Sequence, residues 1–93
     1  MLGGIEEALR ELAAGRIVIV TDDEDRENEG DFVMAAEKAT PADVNFMALH
    51  GRGLICVSAP GERIDALGLR QMVQRNTSLY DTPFTESIDY RHG

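Results

Sequence analysis

IVIVTDDEDRENEGDFVMAA, residues 17–36, sets two apolar runs on either side of a dense acidic segment. Ile17 to Val20 is an unbroken β-branched run, which predicts a strand covered on both faces, as in sheets flanked by helices. Phe32 to Ala36 forms the second run. Between them, residues 22–31 (DDEDRENEGD) hold seven of the chain's seventeen acidic residues, with Arg26 as their only basic neighbour, so the segment carries a charge of −6. The rest of the chain has ten acids against eight bases, so most of the net charge of −8 is concentrated here. Repulsion at that density needs an offset, and a divalent cation is a natural one. Carboxylate oxygens are hard ligands that suit Mg²⁺ or Mn²⁺, and Mg²⁺ takes one or two carboxylates while keeping water or substrate oxygens. The ordinary alternative is a solvated acidic surface at a strand end.

Upstream, Ile5, Ala8, Leu9, Leu12 and Ala13 recur at helical spacing with Glu6, Glu7, Arg10 and Glu11 between them, and Gly15 supplies a left-handed stop. Downstream, Thr40-Pro41-Ala42-Asp43 offers an N-cap, a proline at the first helical position and an acid in the first turn. This predicts a helix through about His50 with Val44, Met47 and Ala48 inward. Gly51 and Gly53 bracket a break before a short strand, Leu54 to Val57, which the Pro60-Gly61 turn ends. Ile64 and Leu67 suggest one short helix. Phe84, Glu86, Ile88 and Tyr90 alternate with Thr85, Ser87 and Asp89, the periodicity of a strand. Helices and strands thus alternate without repeats or an evident linker, which places the chain in a mixed α/β (α+β) layered class with no internal domain boundary.

At 93 residues the chain corresponds to one small domain with a limited core. Its 43% hydrophobic and 28% charged content is that of a folding chain. The acidic balance excludes a nucleic-acid partner, whose phosphates require a basic surface. No run approaches the length of a membrane span and the start MLGGIEEALR lacks a secretory signal, so a cytoplasmic location is expected. The single cysteine, Cys56, makes no internal disulfide, in keeping with a reducing compartment.

Two other readings of the acidic segment fail. An EF-hand beginning at Asp25 places Glu27, Glu29 and Gly30 plausibly, but its twelfth position is Ala36 instead of a glutamate. Neither a GxxxxGK[ST] nor a GxGxxG loop occurs, so nothing supports nucleotide binding by those motifs. Arg26 fits an internal ion pair, and its planar fork equally fits a phosphate or sugar oxygen.

The string Val18 to Asp31, VIVTDDEDRENEGD, resembles the signature of the 3,4-dihydroxy-2-butanone 4-phosphate synthases. The likeness runs on through AAEKAT (35–40), HGRGLICV (50–57), and NTS, FT and SID within 76–89. It implies the N-terminal part of a single synthase domain, roughly the first half of a three-layer α-β-α sandwich around a mixed sheet. In such enzymes D-ribulose 5-phosphate becomes L-3,4-dihydroxy-2-butanone 4-phosphate and formate on the way to riboflavin, a lyase reaction. The resemblance further implies Mg²⁺ or Mn²⁺ and no organic cofactor, a homodimer with sites at the subunit interface, and, in some members, a downstream GTP cyclohydrolase II domain.

Residue by residue, the likeness makes Glu27 a metal ligand that also contacts substrate, completed by a histidine from the second half of the domain. Arg26 and Asp31 match sugar-phosphate contacts, Glu29 and Asp31 match acids needed for catalysis, and Cys56 matches a cysteine lining the active site. Each has a plainer reading: Glu27 as a solvated carboxylate, Cys56 as a small buried hydrophobe. Thr77 matches a substrate contact, although hydroxyls in an Asn-Thr-Ser turn also bond their own backbone. His50 is expected to cap a helix end, and His92 lies at the end of the sequence; neither replaces the missing ligand. Asp81, Pro83 and Glu86 depart from the small or apolar residues of the family pattern. The chemistry accounts for the charge: a ketose phosphate loses a proton beside its carbonyl, for which carboxylates serve as bases and a metal stabilises the oxyanion. The competing expectation is that these 93 residues alone form an inactive fragment or a binding and dimerisation module.

Overall fold

Gly15 ends the first helix as its sequence position requires. In the computed structural model, which describes residues 3–73, 82–89 and 91, helix α1 spans Ile5–Ala13. Gly15 then takes a φ of 81°, its N–H donates to the Leu12 carbonyl and the Arg16 N–H donates to the Glu11 carbonyl. This is the double closure of a Schellman cap, and the Arg16 guanidinium also pairs with the Glu11 carboxylate. A Cβ on Gly15 would stand 3.4 Å from Cβ of Lys38, so the turn is also a close approach.

Strand β1 (Val18–Thr21) pairs antiparallel with β2 (Gly30–Val33), in the register Val18 with Val33, Ile19 with Phe32, Val20 with Asp31 and Thr21 with Gly30. The acidic segment is therefore a long hairpin loop. The strand expected over Ile17 to Val20 is shifted by one residue, and it is not covered on both faces: Ile19 is 67% exposed. A β-branched run records two apolar faces without recording where their covering atoms come from, and β1 has a single partner strand among the described residues. The second apolar run, Phe32 to Ala36, is likewise split: β2 ends at Val33 and a 3-10 turn occupies Ala36–Lys38.

Helix α2 (Pro41–Phe46) begins as its sequence predicts. Thr40 Oγ1 accepts from the Asp43 N–H at 3.3 Å and the Asp43 carboxylate accepts from the Thr40 N–H at 3.0 Å, a reciprocal capping box behind Pro41. The helix does not run to His50 as regular α structure. After Phe46 it widens into a π-helical turn, Met47–Gly51, and Arg52 ends it in the left-handed conformation with φ 57°. Of the three residues expected inward, Met47 is half-buried whereas Val44 and Ala48 are exposed. The widening rotates the residues from Met47 onward about the axis, so the inward stripe of an ideal helix no longer applies to Ala48; Val44, in the regular turn before it, is 42% exposed. Phe32 of β2 and Phe46 of α2 instead meet with ring centroids 5.4 Å apart.

Residues Leu54 to Val57 form no regular element and pair with no strand among the described residues, against the strand expected there; apolar content alone makes no ladder without a partner edge, and Leu54 is 81% exposed. The chain divides here into two units, Met1–Val57 and Ser58–Gly93. In the second, helix α3 (Gly61–Ala66) is the short helix anticipated around Ile64, closed like α1 by a left-handed glycine, Gly68 with φ 70°. Of the strand expected over Phe84 to Tyr90, the described residues show one antiparallel bridge, Gln71 with Thr85, flanked by the Met72 N–H to Phe84 carbonyl and Glu86 N–H to Arg70 carbonyl bonds; Tyr90 lies outside the described residues. The pattern of alternation was legible, yet Pro83 removes a donor at its start. Helices with a small antiparallel sheet make an α+β fold, as expected, but no described side chain is fully buried.

Candidate functional site

The acidic residues sit on the connection between β1 and β2, and its shape follows from one carboxylate. Asp22, the first residue past β1, is the one residue from 22 to 31 that is half-buried; the others are exposed. Its Oδ1 accepts from the Glu29 N–H at 2.8 Å, and its Oδ2 accepts from the Glu27 N–H at 3.0 Å and from Nη1 of Arg26 at 3.2 Å. The Asp22 N–H donates to the Glu29 carbonyl at 3.3 Å, while the Asp23 carbonyl accepts from the Arg26 and Asn28 N–H groups. Asn28 holds φ 53°, a left-handed conformation that asparagine tolerates better than most residues. The backbone donor Glu29, joined by Glu27 and Arg26, favours the ionised form and holds the Asp22 carboxyl below the usual aspartate range.

Arg26 is the internal ion-pair partner that its setting suggested. Its Nη1 lies 2.8 Å from Oε1 of Glu27 and 3.2 Å from Oδ2 of Asp22. A single guanidinium thus draws two of the seven acids together. Glu29 is held at its backbone by Asp22, and Asp31 lies on β2 opposite Val20; both are exposed. The structure therefore gathers Arg26, Glu27, Glu29 and Asp31 on one hairpin. Cys56 lies in the irregular segment 54–57 and is exposed with a free thiol, so it is not the buried hydrophobe of the plainer reading. His50 lies in the π turn with its ring 4.6 Å from that of Phe46, a packing role beside its place at the helix end. Thr77 and His92 lie outside the described residues.

Nothing in its residue type separates Asp22 from the six other acids of the segment. The available signal was its position: an aspartate directly after a strand commonly bonds backbone N–H groups ahead of it. Among the described residues no three His, Cys, Asp or Glu side chains converge as a complete metal cage. The donor chemistry still fits magnesium, because that ion takes one or two hard carboxylate oxygens and fills its remaining positions with water and substrate oxygens. Glu27 has a side chain 36% accessible and carries hard carboxylate oxygens of this kind, one of which pairs with Arg26 in this structure.

Residues 6–93 match the family model described as 3,4-dihydroxy-2-butanone 4-phosphate synthase. The chain is 53% identical over 89 residues to the 3,4-dihydroxy-2-butanone 4-phosphate synthase of Agrobacterium fabrum, covering 96% of this chain and 42% of the relative. It is 58% identical over 91 residues to the riboflavin biosynthesis protein RibBA of Bacillus subtilis, covering 98% of this chain and 23% of that protein. Among solved structures, it resembles a 3,4-dihydroxy-2-butanone 4-phosphate synthase in complex with two magnesium ions, with TM-score 0.92 and 40% identity over 98% of this chain and 42% of that one. A two-domain synthase from A. baumannii, RibBX, gives TM-score 0.76 and 47% identity over 82% of this chain and 23% of its own. The chain thus spans less than half the length of these relatives.

Proposed function

Because the chain belongs to the 3,4-dihydroxy-2-butanone 4-phosphate synthase family, we propose that it is the N-terminal part of one synthase domain, acting as a lyase in riboflavin biosynthesis on D-ribulose 5-phosphate. The observation that carries this reading is the hairpin loop itself: its arginine and acids are ordered on Asp22 in a segment that lies inside the family match. The atoms of the two products, the four-carbon ketone phosphate and formate, add up to those of the substrate, so the reaction needs no external oxidant and no organic redox cofactor.

In this reading Glu27 is the carboxylate from the loop that holds Mg²⁺, or Mn²⁺, and contacts the sugar. When bound, the metal supplies Lewis-acid stabilisation of charge developing on the sugar oxygens. Glu29 and Asp31 stand on the same hairpin as acceptors and donors for the protons beside the ketose carbonyl. Arg26 exchanges its internal carboxylates for the sugar phosphate, a change its planar donors make at little geometric cost. Cys56 and Thr77 line the substrate, and a homodimer in the cytoplasm completes the proposal. A second reading, that these 93 residues act alone as an inactive or dimerising module, draws on the exposure of Ile19, Leu54 and Val57, which suits contact with another polypeptide.

The test is formate release from ribulose 5-phosphate by the intact gene product, before and after chelation. EDTA should abolish release, Mg²⁺ or Mn²⁺ should restore it and Zn²⁺ should restore it poorly, because the loop offers carboxylates without a thiolate or imidazole cluster. Full activity after exhaustive chelation would exclude the metal assignment, and no formate from the intact, metal-loaded protein would exclude the synthase reading.

A further inference from the structure

Resting on the synthase reading, we propose that Asp22 is a positioning residue that sets Glu27 and Glu29 through their backbone N–H groups. Its side chain is 23% accessible, in a loop whose other residues are exposed. The two oxygens divide the work: Oδ1 holds the Glu29 N–H at 2.8 Å, and Oδ2 holds the Glu27 N–H at 3.0 Å and Arg26 at 3.2 Å. Two of these three donors are main chain, so the carboxylate fixes where the Cα atoms of Glu27 and Glu29 stand whatever their side chains are doing. Asn28 between them takes the left-handed turn that lets both amides face one acceptor pair. The Asp22 N–H to Glu29 carbonyl bond of 3.3 Å ties the same residue to the hairpin register. A change of side-chain partners at Arg26 leaves this frame in place, because the frame is made by the backbone amides of Glu27 and Glu29.

An asparagine at this position has one acceptor oxygen and an NH₂ donor, so Asp22→Asn leaves one of the two amides facing a donor. In the intact protein, Mn²⁺ binding followed by electron paramagnetic resonance should weaken, and the Mg²⁺ needed for half-maximal formate release should rise, by about 10- to 100-fold, the usual cost of losing a group that orients a metal ligand. The amides of Glu27 and Glu29 should exchange with deuterium faster, and Asp22→Glu, which keeps both oxygens, should recover part of the metal affinity. Two outcomes overturn the proposal. A lowered melting temperature with unchanged metal dependence makes Asp22 merely structural, and a fall in kcat at saturating Mg²⁺ with unchanged Mn²⁺ binding assigns it to the proton transfer itself. If Asp22→Asn does not fold, Asp22→Glu decides: Mn²⁺ affinity and amide exchange both equal to wild type then overturn it. Absence of formate release by the wild type discards the synthase reading instead, while the exchange rates of the two amides still report the hold of Asp22.

Discussion

The Phe32 ring occupies the space that a side chain on Gly51 would need: a Cβ there would stand 3.3 Å from Cδ2 and 3.6 Å from Cε2 of the ring. Phe32 is half-buried and its ring also meets that of Phe46 at 5.4 Å, so a move away from Gly51 disturbs that contact. Gly51→Ala should therefore destabilise the intact protein by about 1 kcal/mol, because overpacking, about 1–3 kcal/mol, exceeds the roughly 0.5–1 kcal/mol that alanine gains over glycine in a helix. Urea denaturation measures it. In a Phe32→Leu background the same change should become neutral or stabilising, a coupling that a double-mutant cycle isolates; stabilisation by Gly51→Ala in the wild type would refute the contact.

Glu27→Gln should cost more activity than the 10- to 100-fold typical of outer partners of a metal ligand, while stability stays within about 1 kcal/mol, since exposed ion pairs such as that with Arg26 contribute little. Formate release and thermal melting measured on the same sample separate the two effects. Wild-type turnover at limiting Mg²⁺ excludes Glu27 as a ligand, and a collapsed melting transition makes it structural.

The hydrogen bonds from Arg16 hold the Glu11 carboxyl below the usual glutamate range. A lowered native pKa gives a contribution that is fully present above the unfolded value, about 4.3, and is lost as pH falls through the lower native value. The amides of Gly15 and Arg16, which close α1, should accordingly lose protection below that range once the intrinsic pH dependence of exchange is removed. Glu11→Gln should abolish this step. A step that persists in the variant would place the titration elsewhere.

The isolated 93-residue chain should show no synthase turnover and a broad, weakly cooperative melt. None of its described side chains is fully buried, and Ile19, Leu54 and Val57 are exposed large apolar residues. Producing residues 1–93 with and without a separately expressed second half of a family synthase domain, and following formate and melting in each, tests this. Turnover by the short chain alone would show that its site is complete.

Local features were legible residue by residue because their causes are local. Gly15 stops α1 because only a residue without Cβ takes φ 81° cheaply; Thr40 and Asp43 cap α2 through their own backbone; and the charge of 22–31 follows from composition. The family, too, was carried by one contiguous string, Val18 to Asp31. What remained hidden depends on partners distant in sequence. Leu54 to Val57 has the composition of a strand, yet it pairs with no edge among the described residues. The π turn at Met47–Gly51, in which Ala48 is exposed and the His50 ring lies 4.6 Å from that of Phe46, is an outcome that 3.6-residue periodicity does not contain. Seven acids look alike in a sequence. Only the folded hairpin distinguishes Asp22, because a carboxylate's role there is set by which backbone N–H groups converge on it, and that convergence exists only after β1 and β2 have paired in register.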